Sequence, residues 1–175
     1  AEELQAMLAW AAKHEDGPVA IRYPRGTALC RQITLHVFEP GKAEIVSGHS
    51  PSDNRVVAFL AAGDALHTAM ETAKLLAANG LEPLVVNLRS LKPLDEKLLL
   101  ALGKSCSHIF TFENGSVIGG VGAHIQQILQ LENALVVNFG YPDAFITHGK
   151  SDVLKDLIGF EPGQLAARVS EILQL

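Results

Sequence analysis

From Arg55 onward, uninterrupted apolar runs of strand length alternate with one-faced helical stripes. Val56 to Ala62 is continuously apolar, and Gly63 and Asp64 lead from it into a helix whose predicted buried face is Leu66, Ala69, Met70, Ala73 and Ala77, closed by Asn79 and Gly80. Pro83 to Leu88 predicts the next strand. Pro93 fits the first position of a following helix, with Asp95 and Glu96 in its first turn and Leu98, Leu99 and Leu102 on its apolar face. His108 to Phe112 predicts a third strand; Gly119, Gly120 and Gly122 then open a helix with Val121, Ile125, Ile128 and Leu129 on one side. Leu135 to Asn138 predicts a fourth strand. Two short helices follow, carrying Val153, Leu154, Leu157 and Ile158, then Leu165, Val169, Ile172 and Leu173. Strands apolar along their whole length must be covered on both faces. The fold class is therefore α/β, a mostly parallel sheet with helices on both faces and right-handed crossovers.

The first 55 residues follow a different pattern. Leu4, Met7, Leu8 and Ala11 have the spacing of an amphipathic helix that ends between Lys13 and Asp16, and its stripe expects a partner, which chain outside this sequence would supply. Pro18 to Tyr23 is a short apolar strand candidate before the turn formers Pro24, Arg25 and Gly26. An irregular stretch runs to Pro40, a further strand is predicted at Lys42 to Ser47, and a polar loop covers His49 to Asn54. The chain starts with Ala1 inside a helix, with no targeting signal ahead of it, so it reads as a fragment.

Composition narrows the function classes. Fourteen Lys and Arg against 19 Asp and Glu give a net charge of −5 without blocks of like charge, which argues against a general nucleic-acid or anionic-membrane binder. The longest apolar run, Val56 to Ala62, is seven residues, against the roughly 20 that a spanning helix needs. Cys30 and Cys106 form neither a disulfide framework nor a CxxC knuckle, so the default expectation is a reducing cytoplasm.

Candidate chemistry is sparse. The glycines at 115, 119, 120 and 122 could cradle an anion at a helix N-terminus, but GxGxxG and the P-loop lysine are both absent, and close backbone packing or a subunit interface accounts better for them. Asp64 at a strand-to-helix junction reads as an N-cap rather than a catalytic acid. His14, His36, His49, His67, His108, His124 and His148 have no metal-ligand spacing, and no GxSxG elbow occurs. Cys106 reads as a small buried hydrophobe. Arg22 and Arg25 flank a Tyr-Pro bend just after an apolar segment. They fit either a forked contact to a phosphate or carboxylate or a pair of structural ion pairs, and the pattern divides these equally.

Four segments carry a resemblance. Gly17-Pro-Val-Ala-Ile-Arg-Tyr-Pro-Arg-Gly26, Val85-Val-Asn-Leu-Arg-Ser-Leu-Lys-Pro-Leu-Asp-Glu96, Phe112-Glu-Asn-Gly115 with Gly119-Gly-Val-Gly122, and Phe139-Gly-Tyr-Pro-Asp-Ala-Phe-Ile-Thr-His-Gly149 together resemble the C-terminal end of the 1-deoxy-D-xylulose-5-phosphate synthase family, in the family's order. The resemblance implies that residues 1–26 are the tail of a pyrimidine-binding domain, 27–41 a linker, and 42–175 a transketolase-like C-terminal domain. It implies a thiamine-diphosphate- and Mg2+-dependent transferase that condenses pyruvate with glyceraldehyde 3-phosphate, with loss of CO2, toward isoprenoid, thiamine and pyridoxal precursors. In that family the cofactor, metal and activating glutamate belong to earlier domains. The resemblance thus implies no catalytic, cofactor-binding or metal residue here, and an inactive fragment completed by the missing N-terminal and pyrimidine-binding domains. Arg25 alone matches a functional position, the one that holds the substrate phosphate; Arg22 is expected to be structural. The C-terminal domain is expected to support a homodimer, here through Glu113 to Gly122 with Val117, Ile118 and Val121 covered by the second copy.

Two other readings fit the same chain. One is the C-terminal domain of a 2-oxo acid dehydrogenase β subunit or another transketolase-like subunit, since these share the Leu-Arg…Pro-Leu-Asp segment and the glycine-rich turn. The other is a non-enzymatic α/β assembly module.

Overall fold

The computed structural model describes residues 2–24, 37–48 and 57–175. They contain five strands and six helices: α1 (Glu2–Ala11), β1 (Glu44–Ser47), β2 (Val57–Ala61), α2 (Ala65–Ala77), β3 (Leu84–Asn87), α3 (Glu96–Ser105), β4 (His108–Ser116), α4 (Val121–Ile128), β5 (Leu135–Tyr141), α5 (Ser151–Leu157) and α6 (Pro162–Leu173). The strands form one sheet in the order β1-β3-β2-β4-β5. β2 to β5 are mutually parallel, and β1 pairs antiparallel with β3 at the edge.

Period-two alternation divides the core between the two faces of the sheet. Val57, Phe59, Ala61, Val85, Phe110, Phe112 and Phe139 meet α2 and α6 on one side, while Ala58, Leu60, Leu84, Val86 and Ile109 meet Leu99, Leu102, Ile125 and Leu129 on the other. On the first side the phenylalanines pack ring to ring, with Phe59 4.9 Å from Phe112 and Phe139 5.4 Å from Phe112. The connection from β2 to β3 runs over the α2 face toward β1, whereas those from β3 to β4 and from β4 to β5 run over the opposite face toward β5. Reversing both direction and face preserves handedness, so the three crossovers share one hand. The α/β expectation holds.

Several local expectations are corrected. Residues 17–24 include no strand, and Pro18 to Tyr23 pairs with none among the described residues. Prolines at both ends withhold ladder donors and no sheet edge lies alongside, so apolar composition alone does not make a strand. Pro93 does not open α3; it follows a cis Lys92–Pro93 bond, and Asp95 is the N-cap, accepting from Leu98 N at 3.1 Å. In α2 the buried face takes in Leu76, Thr68 and Thr72 and leaves Ala77 exposed. Thr72 is tolerated there because its hydroxyl donates to Thr68 O at 2.8 Å. β4 and β5 run past their predicted ends to Ser116 and Tyr141, with a register shift between Phe112 and Ser116 where Gly115 and Gly140 let the backbones close in.

Candidate functional site

In an open parallel sheet, ligands favour the crevice beyond the strand C-termini at the point where neighbouring connections leave toward opposite faces. Here that point lies between β2 and β4. The side chains at its mouth bind one another. Asp64, following β2, accepts from both directions of the rim: the Asn114 amide reaches its two oxygens at 3.2 and 3.1 Å, and Lys155 of α5 reaches Oδ2 at 3.3 Å. Asp64 does occupy the N-cap position of α2, yet its side chain makes no cap hydrogen bond. The pull of Lys155 and Asn114 outweighs the cap, which is a correction to its predicted role.

Glu113, on β4, is buried with its carboxylate at the N-terminus of α4, where Val121 N donates at 2.9 Å and Gly122 N at 3.3 Å. The glycine-rich turn is an anion cradle whose anion belongs to the chain itself. The glycines serve close packing. A Cβ on Gly120 would collide with both Glu113 carboxylate oxygens and with Ser116 O, and one on Gly122 with the Asn138 side chain, which itself accepts from the Thr111 hydroxyl at 2.8 Å. No phosphate is needed to explain them.

Arg22 crosses to the same rim and donates from its guanidinium to Asn114 O. Its expected structural role is consistent with that contact. Arg25 lies outside the described residues, as do Cys30, His36 and His49. A second tie holds α1. Glu3 accepts from Arg89 Nε at 2.8 Å and from Asn87 Nδ2 at 3.1 Å, and Arg89 also lies 5.5 Å over the Phe38 ring, which Trp10 meets edge-on at 5.5 Å. Arg89 takes the left-handed backbone (φ 56°), costly for a side chain with a Cβ, and the Glu3 and Phe38 contacts stand against that cost. None of these pairs was marked by sequence spacing, since 86 residues separate Glu3 from Arg89 and 91 separate Asp64 from Lys155. For Glu113 a signal existed: an acid close ahead of a helix whose first turn has no acid of its own.

The remaining candidates stay bland. His14 stacks on Trp10 at 4.6 Å, and His108 Nδ1 lies 2.8 Å from Ser107 Oγ. Among the described residues no group of three or more His, Cys, Asp and Glu could hold a metal, and no helix is long and apolar enough to cross a membrane. Burial pushes the Cys106 thiol up from its ordinary range, opposed by a hydrogen bond with Ser105. The expected interface turn divides. Val121 packs against its own core beside α3 and α4, which removes the need for a second copy to cover it, whereas Ile118 remains 66% exposed. Near it, a groove of about 380 Å³ is lined by Ser116, Tyr141, Pro142, Asp143, Phe145 and Ile146, with the Phe145 side chain fully exposed.

Comparison with known proteins places this arrangement. The chain is 40% identical over 173 residues to the 1-deoxy-D-xylulose-5-phosphate synthase of Chlorobaculum tepidum, which covers 97% of this chain and 27% of that protein. It is 36% identical over 172 residues to the synthase of Trichodesmium erythraeum, covering 95% of this chain and 26% of the relative. The chain thus spans about a quarter of the length of the curated relatives it matches. Among solved structures, a split-gene transketolase in an inactive beta4 tetramer superposes with a TM-score of 0.67 at 33% identity, over 79% of this chain and 44% of the other. Residues 41–165 match the family described as the transketolase C-terminal domain. With that match over most of its length and the parallel sheet to go with it, the chain belongs to the transketolase C-terminal domain family.

Proposed function

We propose that this chain is the C-terminal part of a cytoplasmic 1-deoxy-D-xylulose-5-phosphate synthase, in which it assembles and positions the enzyme without holding the cofactor. The observation that carries this reading is the 40% identity to a synthase across 97% of the chain. The reaction is the condensation of pyruvate with glyceraldehyde 3-phosphate, with release of CO2. Arg25 binds the acceptor's phosphate. Residues 1–26 close the pyrimidine-binding domain, 27–41 link, and 42–175 form the C-terminal domain.

The described residues do not fit thiamine diphosphate with Mg2+. The buried carboxylate Glu113 and the N-terminus of α4 already satisfy one another, and Asp64 is held by Lys155 and Asn114. In this reading the cofactor and metal are held by the other domains of the full-length protein. Titration calorimetry of this chain with thiamine diphosphate and Mg2+ should give no binding heat; micromolar affinity overturns the assignment. In the full-length enzyme, Arg25→Ala should raise KM for the phosphorylated acceptor about 10- to 150-fold, the worth of a forked charge-assisted contact, and leave KM for pyruvate nearly unchanged.

A second copy of the chain covers the exposed Ile118 and Phe145 in this reading, giving a homodimer. Light scattering over a concentration series tests it, with Ile118→Glu and Val117→Glu expected to shift the population toward monomer without unfolding. A monomer at every concentration defeats the dimer.

A further inference from the structure

We propose that Arg22 is a positioning residue: by seating its guanidinium on the Asn114 carbonyl, it fixes the arm that leads into Arg25 and so presents Arg25 to the acceptor's phosphate. The proposal rests on the role given to Arg25 above. It adds that the C-terminal domain takes part in acceptor binding through a contact of its own.

The seat is built on both sides. The Asn114 amide spans both oxygens of Asp64 at 3.2 and 3.1 Å, and Lys155 holds Asp64 from α5 at 3.3 Å. One residue earlier, Glu113 is tied to α4 through Val121 N and Gly122 N. Asn114 is therefore fixed by the start of α2, by α4 and by α5 at once, and its carbonyl has a set direction. Gly115 leaves room beside it: a Cβ there would lie 3.7 Å from Arg22 Nη1 and 3.6 Å from Glu113 Oε2, so the guanidinium and the buried carboxylate flank the same small residue.

The arm has little else to fix it. Residues 17–24 form no helix or strand, and most are exposed. Three residues separate Arg22 from Arg25, a contour of about 11 Å at most, so an anchor at Arg22 restricts where the Arg25 backbone can be. A binding group that occupies its competent position only part of the time weakens apparent affinity by that fraction. Pinning the arm restores it.

The test is a double-mutant cycle in the full-length enzyme, read as separate KM values for pyruvate and for the phosphorylated acceptor. Arg22→Ala should raise the acceptor KM by about three- to tenfold and leave pyruvate KM and kcat within about twofold. In an Arg25→Ala background the same substitution should change little, because its effect passes through Arg25. Arg22→Lys, which keeps one donor for the carbonyl, should recover part of the loss. Lys155→Met leaves the arm's sequence intact and loosens only the seat, so it serves even where Arg22→Ala fails to fold. It should raise the acceptor KM selectively too. Effects of Arg22→Ala and Arg25→Ala that multiply independently, equal rises in both KM values, or an unchanged acceptor KM in the Lys155 variant each overturn the proposal. A selective effect at Arg25 with none at Arg22 defeats the positioning role alone. No selective effect at Arg25 defeats the phosphate-binding reading, and the positioning role with it.

Discussion

The Glu113 carboxylate accepts from the backbone N–H of Val121 at 2.9 Å, so the first turn of α4 is bound to an anion that comes from the neighbouring strand of the same chain. The geometry is that of a phosphate site at a helix N-terminus, filled internally. A glycine-rich strand-to-helix turn, suggestive of ligand binding in sequence, here fastens a helix to its sheet.

Replacing Glu113 should destabilise the domain. Glu113→Ala leaves the α4 N–H groups buried without an acceptor, at a cost of about 2–3 kcal/mol, while Glu113→Gln keeps a neutral acceptor and should cost about half as much. Urea denaturation of the two variants checks the order. Equal losses would mean that packing, not the hydrogen bonds, is what the carboxylate supplies.

Gly122→Ala should cost about 1–3 kcal/mol, because its Cβ falls on the Asn138 and Thr111 side chains and overpacking is relieved only by breaking their pair. That pair runs outward, from the Thr111 hydroxyl to Asn138 and on to Gln126 at 2.9 Å. Gly163, by contrast, has open space beside its Cα, so Gly163→Ala in α6 should be neutral or stabilising by up to about 1 kcal/mol. Thermal melts of the two variants should move in different directions.

The alternation of apolar strands and one-faced helices was legible because burial on both faces leaves a local imprint in every strand. Phe59 and Leu60 are adjacent in sequence and enter opposite cores, and both positions had to be apolar. The rim was not legible. Asp64 offers the same local pattern whether it caps α2 or faces a lysine, and Lys155, 91 residues on, decides between them. Likewise the apolar Pro18 to Tyr23 segment satisfies strand composition, but pairing needs an edge alongside, which composition does not report.

The Glu3 tie gives a third prediction. Glu3→Gln removes the charge that faces Arg89 while conserving shape, and Arg89 is only 10% exposed at that contact, so the loss should exceed that of a surface ion pair and reach about 1–2 kcal/mol. α1 buries no residue fully, so its local stability depends on such contacts. Proteolysis within residues 12–20 should accelerate in Glu3→Gln before the midpoint of global unfolding moves appreciably. An unchanged cleavage rate would show that Trp10 and Phe38 hold α1 without the ion pair.

Cys106 gives the pH dependence. Its thiol is buried beside Leu102, Ile109 and Leu129, and desolvation raises its pKa above the ordinary range, with the Ser105 hydrogen bond opposing. The folded state thus holds the proton more tightly than the unfolded chain. The associated stability is fully present below the unfolded thiol's pKa of about 8.5 and is lost as pH rises above it toward the folded value. Cys106→Ala loses packing at every pH but no longer titrates, so the difference in urea midpoint between it and a Cys30→Ser reference should narrow from pH 7 to pH 10. Alkylation in the Cys30→Ser background checks the same group kinetically: at pH 8 the folded protein should react at least about tenfold more slowly than the urea-unfolded chain, since reaction needs both opening and deprotonation. A midpoint difference that stays constant with pH would remove the thiol as the source of the alkaline loss.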